Sequence, residues 1–237
     1  MTKVPAMFRR ELNAYFLSPI AYIVIAVFLI YTGFFFSTSL FENKVVTLKF
    51  SVMYIQFILP FLVPVITMRL FSEESRSGTL ETLMTAPISD FEVVMGKFFA
   101  AFGLYAVMIL STLIYVVFLH WVGDPDYGSI ITSYIGLLLM GSVYIAVGIL
   151  TSAVTKNQII SAVLGIVGLV FLLIIGFVHY IVGEGFFSEC LKYIGTFDHW
   201  EAFTKGLVDS RDVIYYISLT VLLLFITIRV VESRKWR

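Results

Sequence analysis

The stretch LNAYFLSPIAYIVIAVFLIYTGFFFSTSLF, from Leu12 to Phe41, contains no charged side chain. A helix needs about 20 apolar residues to cross the hydrocarbon core of a bilayer, which is roughly 30 Å thick. Five further uncharged stretches follow, and backbone in lipid satisfies its own hydrogen bonds by forming helices. The sequence therefore predicts an all-α membrane protein with six transmembrane helices. They are placed at Ile20–Leu40, Phe50–Met68, Phe98–Val122, Ser129–Thr151, Ile159–Val182 and Val213–Ile228.

The composition supports a membrane domain and excludes several other classes of protein. Hydrophobic residues make up 59% of the chain and charged residues 14%, well below the roughly 25% charged residues of a soluble domain. Six spans use most of the chain and leave too little for a soluble catalytic domain. The net charge of zero indicates no nucleic-acid partner, and the single cysteine, Cys190, cannot form an intrachain disulfide.

Basic residues predict which side of the membrane each connection occupies. Lys and Arg accumulate on the cytoplasmic side, and six spans put both termini on one side. That side holds eleven basic residues and the other side holds five, so we expect both termini in the cytoplasm. The eleven are Lys3, Arg9, Arg10, Arg69, Arg76, Lys97, Lys156, Arg229, Arg234, Lys235 and Arg237; the five are Lys44, Lys49, Lys192, Lys205 and Arg211.

The N-terminal segment 1–18 has its own pattern. Apolar side chains recur at spacings of three and four, which is typical of an amphipathic helix lying in the membrane interface. Ser18-Pro19 ends this helix before the first span, which is longer than a signal-peptide h-region and is expected to be retained. The alternative is a basic leader that only orients the first span. The apolar positions are Val4, Met7, Phe8, Leu12, Tyr15 and Phe16.

Proline and small residues predict how the spans pack. Pro60 and Pro64 should kink the second span. Small residues four apart allow membrane helices to approach closely, and such pairs occur in the fourth and fifth spans, which we therefore expect to pack against each other. The pairs are Gly148 with Ser152, Ser142 with Ala146, and Ser161 with Gly165.

The spans lack the residues of several catalytic and transport mechanisms. No Asp, Glu, Lys or Arg lies in the middle of a predicted span, which argues against a proton-driven carrier. His120 and His179 are predicted near span ends, at headgroup level. The sequence contains no HExxH, GxSxG, metal-spaced Cys/His cluster or GxxxxGK[ST] motif. We therefore expect no catalytic residue, no cofactor, no metal and no nucleotide hydrolysis by this chain.

The segment RLFSEESRSGTLETLMTAPISDFEVVMGK, from Arg69 to Lys97, is the most charged connection. It predicts a short surface helix with Gly78 as the N-cap and an end at Ala86-Pro87. A second helix begins at a capping box and runs into the third span. An apolar ridge with flanking carboxylates suits a partner protein, whereas the alternative is a solvated loop whose acids balance Arg69, Arg76 and Lys97. The ridge is Leu80, Leu83 and Met84, the carboxylates are Glu73, Glu74 and Glu81, and the capping box is Ser89 with Glu92.

This segment resembles the hallmark of type-2 ABC exporter permeases, the ABC-2 family. The pattern Glu-x-x-x-Gly-Thr-Leu-Glu-x-Leu-x-x-x-Pro, followed by Gly-Lys, is carried by Glu74, Gly78, Thr79, Leu80, Glu81, Leu83, Pro87, Gly96 and Lys97. Two further stretches are similar to that family. They are Arg10-Glu11-Leu12 before Ser18-Pro19, and Asp198-His199-Trp200-Glu201 followed by Gly206 and Asp209-Ser210-Arg211-Asp212. Within the family, the combination most resembles the gliding-motility-associated permeases.

The resemblance implies a fold and partners. The ABC-2 (type V exporter) fold implies a single transmembrane domain over residues 1–237, with a cytoplasmic coupling helix at Gly78–Thr85 within 69–97 and short extracytoplasmic re-entrant helices within 183–212. It implies a permease subunit in a bacterial inner membrane that pairs with a second permease, identical or different, and with two ATPase subunits. Membrane lipid and a large extracytoplasmic accessory protein are further implied partners. The implied ATPase-docking residues are Glu73, Glu74, Gly78, Thr79, Leu80, Glu81, Leu83, Met84 and Pro87.

Other interpretations stay open from the residues alone. Trp200, Phe203 and Leu207 have helical spacing, but a surface loop with one helix would explain them as well as a re-entrant pair. A membrane scaffold without transport would use the same charged connection. An intramembrane enzyme is a weaker hypothesis, because Gln56 and Ser111-Thr112 are the notable polar groups there, and hydroxyls in spans usually bond to the preceding turn.

Overall fold

A computed structural model describes residues 3–43, 48–79, 88–123, 125–182, 185, 189 and 193–234. Every regular element in these ranges is a helix, and six helical segments are long and apolar enough to cross a membrane, which confirms the predicted class. The helices are α1 (Val4–Phe16), α2 (Pro19–Asn43), α3 (Lys49–Thr67), α4 (Arg69–Ser77), α5 (Asp90–Leu110), α6 (Leu113–Val122), α7 (Tyr127–Val154), α8 (Gln158–Val182), α9 (Thr196–Thr204) and α10 (Ser210–Ser233).

The second span, α3, ends at Thr67, close to its predicted end at Met68. After a turn at Met68 the chain continues directly into the polar helix α4, so that one helical segment runs from Ser51 to Ser77. Helix α4 is absent from the sequence predictions because its Ser, Glu and Arg residues are typical of a loop. Its Leu70 and Phe71 side chains are nevertheless buried, and these contacts order the helix.

The third and sixth spans also differ from their predicted bounds. The third span is interrupted at Ser111-Thr112, where each hydroxyl donates to the carbonyl three residues earlier at 2.6 Å. These bonds compete with the helical ladder. The sixth span is longer than predicted at both ends, and the Asp209 carboxylate caps it by accepting from the Arg211 amide at 2.9 Å.

Helix α7 is the centre of the bundle. In its most apolar window 67% of residues are buried, against 22% for the first and last spans. Its glycines receive side chains from three directions: Gly136 faces Phe203 of α9, Gly141 faces Tyr105 of α5, and Gly148 faces Thr67 of α3. A side chain at any of these positions would collide with its neighbour, so close approach explains the glycines.

The small residues of the fourth span therefore face partners that the sequence does not identify. Helices α7 and α8 do pack against each other, as predicted. However, Gly148 and Ser152 face the second span and its continuation α4, and Ser142 bonds to Thr220 of α10 at 2.9 Å. Spacing identifies a packing face, but it does not say which of several neighbours will occupy it.

Both termini lie at one end of the bundle, which we call the terminus end. Arg10 of α1 contacts Glu74 of α4, and Arg234, at the end of α10, donates to the Ser75 hydroxyl of the same helix at 2.6 Å. The opposite end holds α9 and the start of α10. This separation positions the two polar clusters described below.

Candidate functional site

Helix α1 begins and ends with contacts to the membrane bundle. The Glu92 carboxylate, which completes the predicted capping box with Ser89, also accepts from the Lys3 amide at 2.8 Å. At the other end Arg69 donates to the Ala14 carbonyl, and the Tyr15 hydroxyl donates to the Ile66 carbonyl at 2.8 Å. The predicted N-terminal helix is confirmed, and part of its apolar face is covered by protein.

Close packing fixes α1 along α5. Gly96 of α5 lies so near Met7 that a β-carbon there would overlap the methionine side chain, and Gly103 faces Phe8 and Leu12. Gly96 belongs to the Gly-Lys pair of the family pattern. The structure explains why position 96 is glycine, because a side chain there would keep α1 from packing so closely on α5.

Lys97, the next residue, is fully buried beneath α1 and α4. Its ammonium has three protons, and three acceptors surround it: the Leu70 carbonyl at 2.6 Å, Glu74 at 2.8 Å and Glu11 at 3.3 Å. Arg10 completes the group by contacting Glu11 at 2.6 Å and Glu74 at 3.1 Å. We call Arg10, Glu11, Glu74 and Lys97 the four-charge cluster; its two cations and two anions come from α1, α4 and α5.

The cations of the four-charge cluster favour the charged form of Glu11. Burial alone would raise the pKa of the Glu11 carboxyl, but the neighbouring Lys97 and Arg10 cations outweigh burial and hold that pKa below its ordinary value. A buried charge pair contributes little if both partners are replaced together, but the loss of one partner leaves the other uncompensated. The cluster therefore fixes the mutual position of three helices.

Helix α4 receives two further side chains from the bundle. The Ser152 hydroxyl of α7 accepts from the Phe71 and Ser72 amides at 3.0 and 3.1 Å and donates to the Met68 carbonyl at 2.8 Å. These bonds satisfy backbone groups at the turn between α3 and α4. With Arg234 of α10 and the four-charge cluster, side chains of α1, α5, α7 and α10 all bond to this nine-residue helix.

A polar cavity of about 350 Å³ opens beside the four-charge cluster. Glu11, Lys97 and Arg69 line it together with Glu73, which precedes the predicted coupling helix, and Thr79, which is the second residue of that predicted helix. The residues that lead into that helix are thus next to the buried charges.

The predicted docking residues fall into three groups. Glu74 belongs to the four-charge cluster, whereas Glu73, Gly78 and Thr79 are exposed. Gly78 is not the predicted N-cap of the next helix, because it is the C-cap of α4 with a left-handed φ of 74°, which favours glycine. The others, Leu80, Glu81, Leu83, Met84 and Pro87, lie outside the described residues, as does most of the predicted coupling helix.

The segment before the last span contains one described helix, α9. Phe197, Trp200 and Phe203 are buried against the bundle, which confirms a helix at the predicted Trp200–Phe203 spacing. Leu207 lies beyond its end and is 63% exposed, because α9 stops at Thr204 and Gly206 adopts a φ of 81°. Part of the predicted 183–212 re-entrant region lies outside the described residues.

The intramembrane polar groups form no catalytic constellation in the described ranges. Thr112 contacts the Tyr134 hydroxyl at 2.7 Å, and Ser111 bonds only to its own turn. No group of three His, Cys, Asp or Glu side chains in the described part of the chain is arranged to hold a metal ion.

A family model described as ABC-2 family transporter protein matches residues 8–174. The chain belongs to the ABC-2 transporter family. The match includes α1, α4 and α5, the helices that form the four-charge cluster. Membership makes the chain a multi-pass membrane subunit of an ABC transporter and implies an ABC ATPase partner. No curated protein is significantly similar to the chain.

All four members of the cluster belong to the family pattern in the sequence, but the sequence does not show that they contact one another. The missing signal was α4, because a helix at Arg69–Ser77 turns Glu74 toward Lys97 and leaves Glu73 exposed. A 3.6-residue period through Leu70, Phe71 and Glu74 would have indicated that orientation.

Proposed function

We propose that this chain is the permease subunit of an ATP-driven ABC-2 transporter, and that residues 69–97 transmit the movements of a separate ATPase to the membrane spans. In this proposal the segment 78–85, which follows the end of α4, makes the contact with the ATPase. The complex either exports a substrate or transmits force across the inner membrane. The finer likeness to gliding-motility-associated permeases stays a prediction.

The observation that supports this proposal most is the set of bonds on α4. This helix leads directly into the predicted coupling helix and bonds to side chains from α1, α5, α7 and α10. A displacement of the coupling helix would therefore be passed to most of the bundle. Packed helices that move as rigid bodies between two arrangements are a general means of switching.

The two acidic residues of α4 have different roles in this proposal. Glu74, bonded to Lys97 and Arg10, acts as a positioning residue that keeps α4 attached to the bundle. Glu73 lines the cavity and is exposed, as are Gly78 and Thr79, and in this proposal these three residues lie on the side of α4 that faces the ATPase. Leu80, Leu83 and Met84 supply the apolar ridge of the dock, flanked by Glu81 and Pro87.

A second permease and lipid complete the proposed assembly. Ile23, Val27, Ile30 and Phe34 form one exposed apolar face of α2, and such a face suits lipid or another membrane helix. One six-helix bundle is too small to enclose a wide channel, so the path would lie between two permease copies, identical or different. A large extracytoplasmic accessory protein would bind the end opposite the ATPase.

Co-purification with the partner ABC ATPase tests the dock. The double variant Leu80→Asp/Leu83→Asp, and separately Glu81→Lys, should stay in the membrane and lose the ATPase. Lys156→Asp is the matched control, because it changes charge in the exposed connection between α7 and α8. Retention of the ATPase by the double variant, or its loss in Lys156→Asp alone, would contradict a dock at residues 78–85.

Cysteine labelling tests the proposed orientation. With Cys190 replaced by Ser, a cysteine at Leu207 should react with a membrane-impermeant maleimide added outside intact cells. A cysteine at Lys156 should react only after the inner membrane is opened. The reverse pattern would place the termini, and with them the dock, on the wrong side for a cytoplasmic ATPase.

A further inference from the structure

A buried histidine–aspartate pair lies at the end of the bundle opposite the termini. His199 of α9 places Nδ1 2.7 Å from the Asp212 carboxylate of α10, and its other nitrogen, Nε2, 3.1 Å from the Tyr193 carbonyl. Both side chains are largely buried, with 9% and 13% exposure. The function proposed above makes no use of this pair.

The two partners of the imidazole fix the number of protons in the pair. A carbonyl oxygen only accepts, so Nε2 must carry a proton. The contact between Nδ1 and the carboxylate also needs one proton, which resides on either the ring or the carboxyl group. In both arrangements the pair holds one proton more than a neutral imidazole beside an ionised carboxylate.

We propose that His199 and Asp212 form a proton-binding site, and that the bound proton holds the segment before α9 against the start of the last span. When the proton leaves, the remaining ring proton serves the ionised carboxylate at Nδ1. Nε2 then presents a lone pair to the Tyr193 carbonyl, and that hydrogen bond is lost. The bond between His199 and Asp212 survives, so only one attachment of the segment is released.

The surroundings make this attachment the pH-sensitive one. The same segment is held by two phenol hydroxyls of α10, Tyr215 donating to the Ile194 carbonyl at 2.6 Å and Tyr216 donating to the Thr196 carbonyl at 2.8 Å. These phenols keep their protons at physiological pH. The Tyr215 ring also stacks on the imidazole, with centroids 4.1 Å apart, an arrangement that favours a cationic ring.

Several titratable groups in the described part of the chain lie on the elements around the pair. Tyr193 contacts the imidazole edge-on, Asp198 is the adjacent residue on α9, and Glu201 pairs with Lys205 at 2.7 Å on that helix. Asp209 and Arg211 belong to the exposed start of α10. Helix α7 contributes Tyr144, which bonds to Thr196, and α8 carries His179 but no Asp, Glu, Lys or Arg in its sequence. In the orientation proposed above, the proton comes from the extracytoplasmic side.

Hydrogen–deuterium exchange of the full chain in lipid nanodiscs tests the site between about pH 5.5 and 8.5, the range in which histidine titrates. After correction for the intrinsic exchange rate, protection of residues 193–204 should fall about tenfold as the pH rises, because one hydrogen bond of the segment is lost. His120→Gln is the matched control, since His120 is exposed and bonds to Tyr127. It should behave as the unmodified chain does.

Two variants separate a proton site from a merely structural contact. In Asp212→Asn the amide can donate to Nδ1 while the neutral ring still donates from Nε2, so protection should persist at high pH. In His199→Gln the protection of residues 193–204 should no longer depend on pH, whether that protection is high or low. The proposal would be overturned if protection of residues 193–204 in the unmodified chain did not depend on pH, a result that needs no variant. It would also be overturned if protection fell by the same factor in Asp212→Asn as in the unmodified chain.

Discussion

At the terminus end, Lys97 is enclosed by three acceptors, and the four-charge cluster balances two cations against two anions. At the opposite end, His199 is enclosed by two acceptors and depends on one exchangeable proton to satisfy both. Both sites join a short helix to the spans. The first is held by paired charges, whereas the second is held through one shared proton.

Because of this difference, we infer that the terminus end keeps a fixed geometry whereas the opposite end has an attachment that can be released. A junction that passes on the movements of an ATPase has to hold its geometry in every state of the cycle, and a fully paired charge cluster does so. An attachment at the other end can be released without disturbing the bundle, because Tyr215 and Tyr216 keep their bonds to the same segment. The predictions below test this contrast.

The largest effect is expected from Lys97→Met. This change leaves the Glu11 and Glu74 carboxylates beside each other with only the half-exposed Arg10 as a cation, and removing one partner of a buried pair costs about 3 kcal/mol or more. Equilibrium unfolding of the purified chain measures the loss. Arg229→Met is the matched control, because its exposed pair with Glu232 should contribute less than about 1 kcal/mol. Equal losses would show that the cluster is no stronger than a surface pair.

A smaller loss is expected from Gly148→Ala. The new methyl group would meet Thr67, and overpacking typically costs about 1–3 kcal/mol. Gly168→Ala should be nearly neutral, since its β-carbon would lie at an ordinary 3.6 Å from Val147. The same unfolding measurement compares them. If both variants are neutral, the turn between α3 and α4 is not held by close packing of Gly148 on Thr67.

The neighbouring acids of α4 should separate stability from docking. Glu74→Gln removes a charged partner of Lys97 and should destabilise the chain by about 1–2 kcal/mol. Glu73→Gln should leave stability unchanged, because Glu73 is exposed, and should weaken ATPase retention in the co-purification assay. Destabilisation by Glu73→Gln, with Glu74→Gln neutral, would reverse the assigned roles.

The smallest effect is expected from pH at the terminus end. The pKa of Glu11 is held below its ordinary value of 4.5, so the stabilisation it provides is complete above that value and lost as the pH falls through the lower folded-state pKa. Exchange protection of α1 should therefore stay constant between about pH 5.5 and 8.5, while that of residues 193–204 changes. Parallel changes in the two regions would remove the contrast between the ends.

Much of the fold follows from patterns that are local in sequence. Uncharged stretches predict the six spans, and the Ser89–Glu92 spacing predicts a cap that the structure contains. Gly148 and Ser152 were predicted to be packing residues, but their partner depends on which span lies opposite them. The four-charge cluster is not among the predictions because it requires α4, a helix whose own sequence is polar and which is ordered by burial of Leu70 and Phe71.

In the function proposed above, movement enters this ABC-2 subunit through residues 69–97 and is passed to the opposite end of the bundle. The direct measurement is the maleimide labelling rate of a cysteine at Leu207, in the reconstituted complex with its ATPase, with and without ATP and vanadate. We expect nucleotide to change the labelling rate in the otherwise unmodified chain and to have no effect in the Leu80→Asp/Leu83→Asp variant. A labelling rate that is the same with and without nucleotide in the unmodified complex would contradict this route of movement. An equal change of the rate in the variant would contradict it as well.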